Sequence, residues 1–409
     1  MFVVVVSAIL ATIGLCVLAM GRTRLAISGL DADSRQAALN AQSGLELSLR
    51  AIETDATWRV SKGVGRWFNN LSTGRGSVTV DVEDPTDTNA SDDAADPLVV
   101  TSTGLFNSAR QGLRVRLNAI PVPPTCLQAA LVAGGGISFQ SATVTSTGSI
   151  AANATIAASS ALVTANVESA GQITGGTYVG VTRSGAPART MPSAQEVIAA
   201  YTAMGSPMSI AMLKDDGNSG NQRAIEDALI SPAHNPFGLM VNAKGIYILD
   251  CQNRRVRIRK SRILGTLVLL NPGNKSTVES SVCWDPAASG YPCLIVLGSI
   301  QIDLRSSLLS ESSSGVNFNP SGAPYLGRVD TDALDSYPSG ISGLTYVSGD
   351  LSISGTSRLG TVVIVGGVAT ISGSLYLAYD ASAATSPPPG FAGSYLMRIA
   401  AGSLERMTY

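Results

Sequence analysis

The chain has 409 residues, enough for two or three domains of ordinary size. Charged residues make up only 14%, glycines number 42 and the formal net charge is −1. That is a turn-rich β composition, and it excludes a global electrostatic field for nucleic acid or for a membrane surface.

Met1 to Met20 reads MFVVVVSAILATIGLCVLAM, without a single charge. As a helix rising about 1.5 Å per residue it spans about 30 Å, the thickness of a bilayer core. A cleaved secretory signal would carry a basic stretch ahead of a shorter apolar run, and neither is present. Arg22 and Arg24, the first positive charges, follow the run. Alone they would hold the rest of the chain in the cytoplasm. A basic leader ahead of Met1, removed after insertion, would reverse that orientation. Helical periodicity continues beyond them. Ala38, Leu45, Leu49 and Ile52 recur at steps of seven, four and three and predict one buried face. Asp31–Arg35 and Glu46–Arg50 are spaced as i,i+4 ion pairs. Gly14, Gly21 and Gly29 are either soft points or places where helix backbones approach closely.

Residues 76–84, 97–103 and 111–117 alternate apolar and polar side chains and predict three antiparallel strands packed on the Leu45–Leu49–Ile52 face. Between the first two lie Asp84, Asp87, Asp92, Asp93 and Asp96. Such a loop either takes Ca²⁺, a hard cation that prefers oxygen ligands, or is simply solvated; the spacing of an EF-hand is absent.

The uncharged run, the arginine pair and the stretch AALNAQSGLELSLRAIETDATWR at 37–59 together resemble the N-terminal region of type IV pilins, above all the minor pilins and the K-type pseudopilins of type II secretion. The resemblance implies a pilin helix over 1–60 and a pilin-like antiparallel sheet over 61–120. It also implies leader removal, an inner-membrane intermediate, and partners that are identical subunits and a pilus or type II secretion assembly machinery. The product would be an extracellular filament or cell-surface structure. The assembly helix would work through Phe2, Val5, Ile9, Ile13 and Leu18, followed by Arg22 and Arg24. Val5 departs from the pattern: most major pilins carry Glu at the fifth mature position, and several minor and tip-type members lack it.

Residues 133–180 are the most regular stretch. Val144, Ile150, Ile156 and Leu162 are six apart, and Val167, Ile173 and Val179 resume the step. One inward aliphatic in every six, among Ala, Ser, Thr and Gly, predicts a β-solenoid, because each short strand buries its aliphatic in a core shared by neighbouring rungs. Alternating segments at 245–270, 294–304 and 344–375 predict further rungs, so 126–385 reads as a parallel β-helix; an antiparallel sandwich is the other arrangement such strands allow. The fold class is therefore α+β: a long N-terminal helix, a small antiparallel sheet and a β-helix head. A helical insertion is expected at 193–232, where SAQEVIAAYTAM would cap an open end of the β-helix and NQRAIEDALI would form a second helix. Loops are expected at 271–292 and 305–340, and 386–409 is a Pro-rich tail.

Five cysteines are present. Cys16 lies in the apolar run. An even number remains, which fits an oxidising compartment. Cys283 and Cys293 flank a turn-rich loop and suggest one disulfide, with Cys126–Cys251 as the second; four buried free thiols are the alternative. No CxxC occurs and His234 is the only histidine, so no zinc spacing exists.

Three groups of charged residues remain. Arg255, Arg257 and Arg259 alternate with Val256 and Ile258 and predict an outward guanidinium row. It would grip an anion, or an acidic patch on the next subunit such as 84–96; a solvated strand that discourages edge pairing is the simpler reading. Asp330, Asp332 and Asp335 sit at Ca²⁺-ligating spacing, which a loop of turn-forming Asp also produces. Other than Ca²⁺, no cofactor is suggested. Polysaccharide-degrading enzymes also use β-helices, with two convergent carboxylates; Asp332 with Asp335 or Asp350 would have to serve, and no motif supports them. The chain therefore reads as a structural filament subunit and not an enzyme, with a surface-displayed adhesive or polysaccharide-binding module on a membrane anchor as the alternative.

Overall fold

The computed structural model describes residues 2–55, 57–217, 221–391 and 394–408, with side chains from Ile9 onward except at Pro121, Ser394 and Thr408. It divides into two units, Met1–Val122 with Ser394–Tyr409, and Pro123–Gly393.

The first unit is built on one helix, α1 (Phe2–Thr54), 53 residues long, or about 80 Å. It stops where the Asp55 carboxylate accepts hydrogen bonds from the Thr57 amide and hydroxyl and from the Ser61 hydroxyl, drawing the chain into a tight turn. Four strands follow: β1 (Gly65–Ser72), β2 (Ser77–Glu83), β3 (Leu98–Phe106) and β4 (Ala109–Val122). They form an antiparallel sheet in chain order. The predicted strands are present, and β1 is an addition. The segment read as a Pro-rich tail supplies two more strands, Ser394–Ile399 and Glu405–Thr408, which both pair with the free edge of β4. The first unit is therefore discontinuous in sequence, with the second inserted between its strands.

The face of α1 that meets the sheet is Ala37, Ala41, Leu45, Ser48 and Ile52. Ala38 is exposed and Leu49 only half-buried. The helix is rotated relative to the predicted face because small residues set the approach. A Cβ on Gly104 of β3 would lie 2.0 Å from the Ala37 carbonyl oxygen and 2.4 Å from the Ala41 nitrogen. Backbone meets backbone there, which leaves room only for Ala and Gly. Buried Asn40 then donates to the carbonyls of Arg75 and Leu105, at 2.7 and 3.0 Å. The ion pair Asp31–Arg35 forms at 2.8 Å. Glu46 instead accepts from Gln42.

The second unit is a parallel β-helix. Its smaller sheet has 10 strands, all parallel; the larger has 14. The sequence period of six is one side of a three-sided rung. Ile353 pairs with Ile371 and Thr345 with Val363, each one full turn apart. Val144, Ile150, Ile156 and Val167 point inward as expected. Leu162 does not: positive φ at Ser141 and Ser160 bends two stacked strands together, and Val163 takes the inward place beside Val144. Val179 is exposed as well.

The rungs do not follow chain order. The first run outward from Leu131–Ala133 to Thr182–Ser184. The chain then reappears at the opposite end of the smaller sheet, at Ser206–Met208, and builds back until Val363–Val365 pairs with Leu131–Ala133. Between these points lies the helix Ala194–Met204, its Ser193 hydroxyl accepting from the Glu196 amide as an N-cap. It does not cap an end. Val197 and Tyr201 pack on the outer face of the smaller sheet, against Ile246, Val268, Ile295 and Tyr346. Covered on both faces, these strands read as unbroken apolar runs such as TLVLL and LIVL. The second expected helix is absent; its residues form the strands Gln222–Glu226 and Leu229–Ile230, where rung pairing with Arg255–Arg259 and Ser261–Leu264 overrides local propensity.

Candidate functional site

Among the described residues, the N-terminal half of α1 presents a long run of apolar side chains that the first unit leaves uncovered. Ile9, Leu10, Ile13, Leu15, Val17, Leu18 and Met20 are all more than half exposed, as are Leu25, Ile27 and Leu30. Arg22 and Arg24 stand exposed in the same stretch. A Cβ on Gly14, Gly21 or Gly29 would meet nothing within 4 Å, so none of the described residues uses them as close-contact points. Phe2 and Val5 lie on the helix, outside the residues whose side chains are described. By length and composition this segment is apolar enough to cross a membrane. Its aliphatic side chains surround the helix on every side, the pattern of a helix with an apolar medium or other helices all round it.

The acidic loop after β2 is organised from inside. Arg59 stacks on the Trp58 ring, 4.6 Å from its centroid. Its guanidinium donates to the carbonyls of Ala90, Asp93, Ala94 and Asp96. Burial draws the Arg59 pKa down, against the pull of Asp96 and Asp84. Asp84, Asp87 and Asp96 each bring one oxygen within 4.8 Å of the others. Burial and its carboxylate neighbours, Asp84 first, raise the pKa of Asp96.

The arginine row in the second unit is not a free cationic surface. Arg257 donates to Asp216 at 2.7 Å and to Glu279; Arg259 meets Asp216 and Glu226, each at 2.8 Å. Lys214 adds a contact to Glu226 at 2.6 Å. Burial would push Glu226 up, but hydrogen bonds from Arg259 and Lys214 outweigh it and hold the carboxyl at about 2. Arg255 donates to the Lys275 carbonyl. Neighbouring rungs thus consume the charge predicted to face a partner, because parallel stacking sets Arg257 and Arg259 beside acids far away in sequence. Arg262, fully buried, donates to the carbonyls of Phe318, Ala323 and Pro324 and so anchors the excursion at 305–340.

Within that excursion Asp330 accepts from Asn317 and Asn319, and Asp335 also accepts from Asn319. Burial first, then the facing Asp330 carboxylate, raises the pKa of Asp335. Glu311, which no sequence pattern singles out, is fully buried and brings an oxygen within 4.8 Å of Asp330 and Asp332. Its own oxygens accept from the Phe318 and Asp335 amides and the Tyr337 hydroxyl.

The expected disulfides are not formed. Cys126, Cys251, Cys283 and Cys293 are buried free thiols. The members of each expected pair belong to different packing clusters: Cys293 and Cys251 to the interior of the β-helix, Cys126 to the layer under the helix Ala194–Met204, and Cys283 to the cluster under the 305–340 excursion. Burial pushes Cys126, Cys251 and Cys283 up to about 12, which suppresses the reactive thiolate.

The chain matches no family model and no curated protein. Among solved structures it is similar to the competence-associated pilin ComZ from Thermus thermophilus, at 10% identity over 92% of this chain and 98% of that one, with a TM-score of 0.31. It is also similar to an ice-binding protein from the Antarctic ascomycete Antarctomyces psychrotrophicus, at 12% identity over 62% of this chain and 95% of that one, with a TM-score of 0.25.

Proposed function

We propose that this chain is a structural subunit of a pilus-like filament. The observation that supports the reading is the division of α1: its second half is clamped on the sheet through backbone-close contacts, while the side chains from Ile9 to Leu30 are left exposed by the described residues. A helix of this kind is stable in two places, a bilayer and a bundle of like helices. Before assembly the segment spans the inner membrane. In the filament the same side chains pack against those of identical subunits, and Gly14, Gly21 and Gly29 let neighbouring backbones approach. The two globular units are carried outside, at the cell surface, and the role is mechanical rather than catalytic.

The test is Ile13→Arg. Cells producing this variant are expected to show no filaments by negative-stain electron microscopy with an antibody against the second unit, while the soluble part keeps its circular dichroism spectrum. Normal filaments from the variant, or wild-type protein that stays in the membrane and never enters the sheared surface fraction, would overturn the proposal.

A further inference from the structure

On the second unit two cavities of about 410 and 430 Å³ open side by side, and Pro338, Ser339 and Arg358 line both. They are two lobes of one groove divided by Arg358. The floor is the outward face of three stacked strands, Leu351–Thr361, Ala369–Tyr379 and Ile137–Ser146. Their register places Arg358, Tyr376 and Thr145 in one row across the strands, and Thr356, Ser374 and Thr143 in the next. The wall comes from the 305–340 excursion, which leaves after Ile300–Leu304 and returns as Gly340–Ile341.

Arg358 differs from the other arginines of this unit that the rungs absorb. Among the described residues it has neither an ion pair nor a side-chain hydrogen bond; its one ring contact is with Tyr376, the guanidinium carbon 4.9 Å from the ring centroid. Stacking fixes the guanidinium and leaves its in-plane N–H groups free, and that fork matches a carboxylate in bidentate geometry. Because the group is already ordered, little entropy is lost when an anion arrives. The 410 Å³ lobe adds Asp285 and Asp380. The amide and hydroxyl of Ser382 hold Asp380 below the ordinary carboxylate range. The Ser342 hydroxyl occupies one oxygen of Asp285. Ser, Thr and Tyr make up most of the residues that line the 430 Å³ lobe.

One guanidinium against two carboxylates gives the groove a net charge of −1. A polymer with a charge on every residue, as in a nucleic acid, would press phosphates against Asp285 and Asp380. A sugar chain offers an occasional carboxylate among many neutral hydroxyls, which suits one cation surrounded by acceptors and donors. We infer that this groove binds an acidic polysaccharide, with one uronate carboxylate seated on Arg358 and the flanking sugar hydroxyls on the Ser/Thr rows and Asp285. The inference goes beyond the filament reading and does not rest on it.

The test is calorimetric titration of the full chain in detergent micelles with xylotriose carrying a single glucuronate branch, with unbranched neutral xylotriose and with a single-stranded DNA oligonucleotide. The glucuronate-bearing sugar is expected to bind and the neutral one to bind at least tenfold more weakly. Arg358→Ala should weaken the glucuronate-bearing sugar by about tenfold or more, the loss of a charged hydrogen-bonding partner. Arg358→Lys should recover part of that, since it keeps the charge but not the fork. Ser339→Trp, which fills the groove from its wall, should block binding with the circular dichroism spectrum unchanged. No binding of the glucuronate-bearing sugar, or binding indifferent to both Arg358→Ala and Ser339→Trp, would overturn the inference. So would DNA binding that exceeds it and depends on Arg358.

Discussion

The apolar N-terminal half of α1 and the arginine strand at 255–259 are both places where the sequence offers a surface to a partner, and the fold treats them in opposite ways. The arginines find Asp216, Glu226 and Glu279 on adjacent rungs. The aliphatics from Ile9 to Leu30 find no such cover among the described residues. The contrast shows how a docking surface is told from a structural one: by whether the rest of the chain satisfies it. Arg358 passes the same test as the helix, since among the described residues it makes no ion pair, whereas the denser arginine cluster fails it.

Substitutions can break this contrast from either side. The largest effect is expected at Ile13→Arg, where a charge at the centre of the span costs about 3 kcal/mol for insertion; filaments should be lost while the globular units stay folded. Next is Gly104→Val, in the clamped half, where the new side chain collides with the backbone of α1 and should destabilise the first unit by about 3 kcal/mol. Faster hydrogen exchange of β3 amides, read by mass spectrometry, would show it, and exchange in the β-helix should not change. Asp216→Ala strips both Arg257 and Arg259 of an anion and should cost the second unit about 2 kcal/mol, less than a wholly buried pair because the arginines keep other partners; urea unfolding measures this. The smallest effect is a pH dependence. Glu226 sits at about 2 when folded, below its ordinary 4.5. Its contribution is therefore fully present above about pH 4.5 and is lost as pH falls through 2, so that wild type and Glu226→Gln, separated by about 1–2 kcal/mol at pH 7, converge in urea midpoint near pH 2.

Much of the fold is legible without coordinates because its signals are local and periodic. The apolar run, the helix beyond it, the strands around 76–117 and the six-residue step all follow from which side chains must be hidden from water. The misreadings share one cause, which is that distant partners decide the outcome. The α1 face turned to Ala37 because Gly104 lies beneath it. NQRAIEDALI became strand because Arg255–Arg259 offered a parallel edge. Cysteines close in sequence separated because one rung sends them to different sides of its wall.

The functional residues divide in the same way. Ile9, Ile13 and Leu18 are identified by composition, since twenty consecutive uncharged residues need an apolar environment whatever the fold. Glu311 and Arg358 carry no sequence signal; each acquires its setting from strands and loops that are remote along the chain. The sequence alone determined that this protein has an apolar helix, a small antiparallel sheet and solenoid rungs, because hydrophobic periodicity is a property of neighbouring residues. Only the tertiary structure decided the order of those rungs, the return of the C-terminal strands to the first sheet, and which charges are spent on stability and which stay free for a ligand. Pairing between strands depends on distance in space, and a linear chain does not encode that distance locally.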